Sequence, residues 1–345
     1  MTLHSEILEQ PTILASSLST QRKTVEEIAR AIQSKNIQYA FLAARGTSDN
    51  AGRYANYLWG GQNGLPVALA TPSLFTLYMQ PPKLSGALVV GISQSGQSPD
   101  IVSVLAEGRR QGCPTLAITN EPQSPLAQSA DFVLDIQAGE ERAVAATKTY
   151  TAELMAIAML ATALNGSAEA WEELTQVPGW VEQVLNEEAE IARMAQRYRY
   201  LNRCVVLGRG YNYCTTFEWA LKLKEMAYVE AEPYSSADFL HGPIAMVERG
   251  FPVMAVVPQG RVFDPMMSLV TSLKEDHLAE LVIISNAPQA LTLAQSQISL
   301  PDRVPEWLSP LVCIVPAQLF TYYLTLAKGY DPDHPRTIHK VTETQ

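Results

Sequence analysis

Cysteine and histidine are scarce: four cysteines, Cys113, Cys204, Cys214 and Cys313, and five histidines occur in 345 residues. No two cysteines form a C-x-x-C pair and no histidine cluster accompanies them, so zinc-ligand spacing is missing. So few thiols suit a reducing compartment rather than a disulfide framework. Basic residues are in deficit too. Lys and Arg number 25 against 35 Asp and Glu, a formal net charge of −10. That balance argues against a nucleic-acid surface, although a local site on an acidic protein can hold a small anion. The N-terminal stretch MTLHSEILEQPTILASSL lacks the basic segment and apolar run of a signal peptide. The apolar stretch ELMAIAMLATALNG after Tyr150 is too short and too alanine-rich to span a bilayer, and reads as a buried core helix. The expectation is a soluble, cytoplasmic protein with neither nucleic acid nor membrane as partner.

What is present is an alternation. TVEEIARAIQSK has helical periodicity, YAFLAA is an apolar run of strand length, and RGTSDNAGRYANYLWGG turns at Gly46 into a helix. PVALA, ALVVGIS, TLAIT and FVLDI are further strands. SPDIVSVLAEGRRQG is a helix with Ser98 at its N-cap, Pro99 at the first helical position and Gly112 as terminator. Apolar strands alternating with helices imply a parallel sheet covered on both faces. The second half repeats the plan at an offset of 164 residues, Gly46 falling on Gly210. RCVVLGRGYNYCTTFEWALKL matches the first strand–turn–helix, FPVMAVVP matches ALVVGIS, and ELVII matches TLAIT. A repeat this long means two duplicated, doubly wound α/β domains rather than a solenoid. The expected boundaries are 1–165 for the first domain with its N-terminal helical segment, 166–199 for a helical linker, 200–330 for the second domain and 331–345 for a polar tail.

Ligands of doubly wound sheets bind beyond the carboxyl ends of the strands. The strand ALVVGIS runs out there into Ser93, Gln94, Ser95, Gly96, Gln97 and Ser98. Hydroxyls, backbone N–H groups and a helix start make an anion cradle without a cationic side chain. Such a cradle suits a phosphate that is held but not transferred. The turn Gly46-Thr47-Ser48 offers a second contribution of this kind. The plainer reading is that these residues only cap helices and form turns. Neither loop matches the glycine-rich signatures of nucleoside triphosphate or dinucleotide sites. In the second domain the corresponding loop, PQGRVFD at 258–264, lacks the cradle.

The segment FEWALKLKEMAYVEAEPYSSADFLHGP is the densest in chemistry. Glu218, Lys222 and Glu225 recur at i, i+4 and i+7 and share one face of an apolar helix. Charges there are costly unless paired or functional. They read either as an ordinary helical ion pair or as a site in which a buried glutamate shuttles a proton. His241, beside the turn Gly242-Pro243, is either structural or an exposed functional imidazole.

Taken in order, EILEQP, GTS, SQSGQS, VAATK, LGRG, ALKLKE, HGP and HPRTIHKVTET cover nearly the whole chain. They resemble the sugar isomerase (SIS) family, and within it the isomerase half of glucosamine-6-phosphate synthases. The resemblance implies two flavodoxin-like SIS domains with the C-terminal tail folded over the active site. It implies a sugar 6-phosphate held by Ser93, Gln94, Ser95 and Ser98 with Gly46, Thr47 and Ser48. Val144 and Ala146 would line the sugar, Ala146 replacing the family's usual serine and removing one hydroxyl contact. Glu225 matches the base that moves a proton between C1 and C2, with Glu218 and Lys222 as polar neighbours. His241 matches a ring-opening histidine supplied by the neighbouring subunit, hence a homodimer. Lys340 matches a lysine that forms an imine with the open-chain ketose. No metal or organic cofactor is implied.

The resemblance leaves several reactions open. The favoured expectation is deamination of glucosamine 6-phosphate to fructose 6-phosphate and ammonia. A fructosamine-6-phosphate deglycase or a simple phosphosugar aldose–ketose isomerase uses the same proton transfer. A sugar-phosphate sensor would keep the cradle but lose the catalytic groups. Thr2 and Leu3 follow Met1, where the family's synthases carry a cysteine nucleophile and a glutaminase domain. Glutamine-dependent synthesis by this chain alone is therefore not expected.

Overall fold

In the computed structural model, which describes residues 2–340, two five-stranded parallel sheets carry the fold. The first holds β1 (Tyr39–Ala43), β2 (Val67–Leu69), β3 (Ala87–Ile92), β4 (Thr115–Thr119) and β5 (Phe132–Asp135). The second holds β6 (Arg203–Gly208), β7 (Glu230–Ser235), β8 (Pro252–Val256), β9 (Glu280–Ser285) and β10 (Ser296–Ser299). The spatial orders are β2-β1-β3-β4-β5 and, from the matching edge, β7-β6-β8-β9-β10. Both are the doubly wound order whose switch point lies between the first strand and the third. The duplication expected from the sequence is therefore a duplication of topology.

The strands form because their residues suit a sheet buried on both faces. Every residue of β3, β4 and β8 is buried. Val, Ile and Leu dominate them, each worth about 1.5–3 kcal/mol when fully buried. The helix Pro99–Arg110 lies close against β3 because Gly108 has no side chain. A Cβ there would stand 2.7 Å from Val89 Cγ2. Gly108→Ala would push the helix off the strand.

The chain divides into two compact units. The first-sheet unit comprises Thr12–Glu141, Lys148–Thr175 and residues 339–340. The second-sheet unit comprises residues 2–11, Arg142–Thr147 and Gln176–Ile338. These bounds differ from the expected ones. The N-terminal helix Leu3–Leu8 belongs with the second sheet, not the first. Leu3 and Ile7 are fully buried there, the Leu3 amide donates to Asp333 at 2.7 Å, and Gln10 Nε2 reaches Gln318 at 2.9 Å. The expected linker 166–199 is helical, with helices Ala168–Leu185 and Glu188–Arg197, but it is shared out between the units.

Among the described residues one helix, Ser309–Ala327, is long and apolar enough to cross a membrane by length and composition, and 78% of its most apolar window is buried. It is more apolar than the stretch after Tyr150 that the sequence marks as a buried helix. Its residues Leu311 to Phe320 are fully buried in the second-sheet unit, where Phe320 packs edge-on against Trp219. That is the setting of a core helix.

Candidate active site

In the first-sheet unit, β1 and β3 are neighbours, paired from Tyr39 with Ala87 to Ala43 with Gly91. Their carboxyl ends open into the Gly46 turn and the Ser93–Ser98 loop. Gly46 starts the helix Gly46–Asn63 at φ +53, and Arg45 ahead of it makes no side-chain cap. The second loop is pinned from below. Its Gly96, at φ +61, lies where a Cβ would collide with the Ser124 side chain. The Gly96 amide donates to Ser93 Oγ at 3.1 Å, and the Gln94 carbonyl accepts from the Asn120 amide at 3.1 Å. Ser98 stands at the N-cap of Pro99–Arg110, yet its hydroxyl makes no cap hydrogen bond. The plainer reading, in which this serine is there to cap, has no bond to rest on.

The site residues of this unit have different surroundings. Thr47 is half-buried. Ser48 is buried, and its hydroxyl donates to the Glu153 carboxylate at 2.7 Å. Ser93 is buried, while Gln94 and Ser95 are half-buried. Arg45 Nε lies 2.7 Å from the buried Asp100 carboxylate at the start of the following helix. A cavity of about 650 Å³ adjoins the loop, lined among others by Gln94, Ser95, Asn120, Glu121, Glu141 and Lys340. Lys340 Nζ is 2.5 Å from Glu141, whose side chain is fully buried. The Thr149 amide and hydroxyl also donate to that carboxylate, at 3.1 and 2.7 Å. Lys340, from the far end of the chain, and the serine loop thus border one cavity. Lys340 is the last described residue of the tail.

In the second-sheet unit, the helix Tyr213–Ala227 follows the Gly210 turn after β6. It carries Glu218, Lys222 and Glu225 on one side, as the spacing requires. Lys222 Nζ lies 3.3 Å from Glu218 Oε1 and 2.6 Å from Glu225 Oε2. Side-chain exposures are 0% for Glu218, 1% for Lys222 and 24% for Glu225. Burial by itself would lower the Lys222 pKa, but the two carboxylates outweigh it and hold the ammonium above the ordinary lysine range. This is not a surface helical pair. It is a buried cation with one buried and one accessible carboxylate.

His241 caps the short helix Ser236–Leu240 and is exposed. Its ring makes no hydrogen bond among the described residues. Leu240, its neighbour in the chain, is 56% exposed, and Met246, at the end of the following turn, is 44% exposed. Val144 and Ala146 are half-buried on the loop that precedes the helix Lys148–Asn165.

Two carboxylates that build these sites were not singled out from the sequence. Glu141 holds Lys340. Glu6, fully buried, accepts from the amides of Arg142 and Ala143 at 2.6 and 3.2 Å and fixes the base of the Val144–Ala146 loop. The acidic pair Glu140-Glu141 just before VAATK was the available signal for the first. Glu6 lies in an amphipathic helix and gave none.

The SIS domain profile matches residues 32–163 and 199–328. A glutamine–fructose-6-phosphate aminotransferase (isomerizing) of Thermus thermophilus is 32% identical over 348 residues, 97% of this chain and 57% of the relative. The chain thus spans little more than half the length of the curated relatives it matches. The C-terminal domain of glucosamine-fructose-6-phosphate aminotransferase from Francisella tularensis superposes with a TM-score of 0.88 at 28% identity, covering 96% of this chain and 98% of that one. A glucosamine-6-phosphate deaminase from Thermotoga maritima, 20% identical, shares the fold over 100% of both chains with a TM-score of 0.80.

Proposed function

The chain belongs to the SIS domain family, and on that premise we propose that it is a phosphosugar isomerase acting as a deaminase on a 6-phosphorylated amino sugar. Its substrate is glucosamine 6-phosphate, and its products are fructose 6-phosphate and ammonia. The observation that carries this reading is the Glu225 carboxylate: accessible, and fixed at 2.6 Å by a buried lysine. A base so placed keeps one orientation while one face remains open to substrate.

The phosphate sits on the Ser93–Ser98 loop and the Gly46 turn. Glu225 takes the proton from C2 of the open-chain aldose and returns it to C1. The nitrogen at C2 becomes an imine. Water adds to that carbon, ammonia leaves, and the water oxygen becomes the ketone of fructose 6-phosphate. Lys222 neutralises charge that develops on the adjacent oxygen or nitrogen. Lys340 forms a transient imine with the ketose, its nitrogen displacing the carbonyl oxygen as water. His241 assists ring opening in the neighbouring subunit of a homodimer. Its exposure, together with that of Leu240, its neighbour in the chain, supports that role, since an exposed imidazole next to an exposed apolar side chain suits an interface.

The test is ammonia release from glucosamine 6-phosphate. Glu225→Gln should lower the rate by about 10²–10⁴ with sugar-phosphate affinity kept. Mixing Glu225→Gln with His241→Ala subunits should restore part of the activity. Sugar-phosphate binding without ammonia release rejects the deaminase. Turnover of an N-substituted fructosamine 6-phosphate then identifies a deglycase, ketose–aldose exchange alone an isomerase, and no turnover at all a sensor.

A further inference from the structure

The two sheets present the same edge with different occupants. In the first, the Gly46 turn follows β1 and the Ser93–Ser98 loop follows β3. In the second, the Gly210 turn follows β6 and the loop 258–264 follows β8, and β6 and β8 are neighbours as β1 and β3 are. Gly46 and Gly210 both take positive φ, +53 and +61. Gly96 and Gly260 fall at the same sequence offset but differ in backbone, at φ +61 and +155. The first loop offers hydroxyls. The second offers none, and a side chain of its own unit enters it.

That side chain is Glu306. The Arg261 amide donates to its Oε2 at 2.7 Å. A Cβ on Gly260 would collide with the Glu306 carboxylate, whereas a Cβ on Gly210 would meet Val262 Cγ1 first, at 3.3 Å, with Glu306 Oε1 further off at 4.0 Å. The carboxylate therefore lies between the two turns that, in the first sheet, flank the cradle. Gly260 is needed for this approach, because any side chain there would occupy the carboxylate's place. The neighbouring Gln259 amide is already taken by Asn286 Oδ1 at 2.8 Å.

We propose that the second sheet carries an oxyanion site whose occupant is the chain's own Glu306 carboxylate, so that each chain holds one phosphate-bearing ligand and not two. A tethered carboxylate is present at an effective concentration that free phosphate does not reach. It also repels a second anion at hydrogen-bond distance. The ligand class of the vacated site is a small oxyanion, phosphate or carboxylate. The inference rests on the proposed function only for the first cradle. It explains why the second loop carries no hydroxyls although glycines stand at both corresponding positions, 210 and 260.

The experiment is the stoichiometry of inorganic phosphate, measured by calorimetry on the full chain. Wild type should bind one phosphate per chain and Glu306→Ala two. Glu306→Gln, whose amide oxygen still accepts the Arg261 N–H, should stay at one. With the first cradle removed by Ser95→Ala and Ser98→Ala, binding should vanish and return as one site when Glu306→Ala is added. A folded Glu306→Ala chain with unchanged stoichiometry overturns the inference. If Glu306→Ala folds but is destabilised, acetate or phosphate at millimolar concentration should raise its thermal midpoint more than wild type's. Absence of that rescue also overturns it. Wild type that binds no sugar phosphate counts against the proposed function instead, and the site added by Glu306→Ala is still read on its own.

Discussion

The ammonium of Lys222 lies 2.6 Å from the Glu225 carboxylate one turn further along the same helix, the lysine buried and the glutamate a quarter exposed. With Glu218 on its other side, Lys222 serves two carboxylates at once. Removing it takes the cation from beside a buried Glu218 and lets Glu225 swing.

Lys222→Met should therefore destabilise the chain by about 3–5 kcal/mol, the cost of breaking a buried ion pair by removing one partner. Adding Glu218→Gln should recover part of the loss. Urea unfolding of the single and double variants measures both. The pH dependence follows from the raised lysine pKa. A group raised in the folded state contributes fully below its unfolded pKa, about 10.4. That contribution fades only as pH rises beyond the ordinary lysine range, so wild type should lose an alkaline increment that Lys222→Met lacks.

Gly96→Ala should weaken both fold and ligand binding. The backbone at φ +61 costs a non-glycine residue about 1–3 kcal/mol, and the new methyl meets Ser124. A lower thermal midpoint together with lost sugar-phosphate binding is expected. A variant that binds normally would mean that the loop adapts and that its backbone is not the anion holder.

Glu141→Gln should leave the cradle intact and misplace Lys340. Trapping of a ketose imine by borohydride, read as an intact-mass increment, should fall, and turnover should drop by about 10²-fold. Binding of inorganic phosphate should not change. Lys340→Arg should abolish trapping altogether, since a guanidinium forms no imine.

The N-terminal helix should loosen in acid. Burial tends to raise the Glu188 pKa, but hydrogen bonds from Tyr323 and His4 outweigh it and leave it lowered. A depressed carboxyl contributes stability above its unfolded pKa, about 4.3, which is lost as pH falls through the folded value. Amide exchange in Leu3–Leu8 should accelerate below about pH 4, and Glu188→Gln should flatten that dependence.

Much of this molecule is written locally. The apolar runs ALVVGIS and TLAIT have no polar alternation, and only a parallel sheet covered on both faces buries such runs. Glycine at 46, 96 and 210 marks backbone that other residues adopt at a cost, so the turns stand out in the one-dimensional string. The i, i+4, i+7 spacing of Glu218, Lys222 and Glu225 fixes a shared face whatever surrounds it. Burial is different, because it depends on what packs against that face. The same spacing describes a solvated pair worth a few tenths of a kcal/mol and the buried triad found here, and only the core around Trp219 and Phe320 decides between them. Contacts between residues far apart in the chain were likewise open: Lys340 on Glu141 spans 199 residues, and Glu306 in the Gly260 loop spans 45. No period or propensity encodes such pairings. They follow from the order of the strands, which sets which loops share an edge.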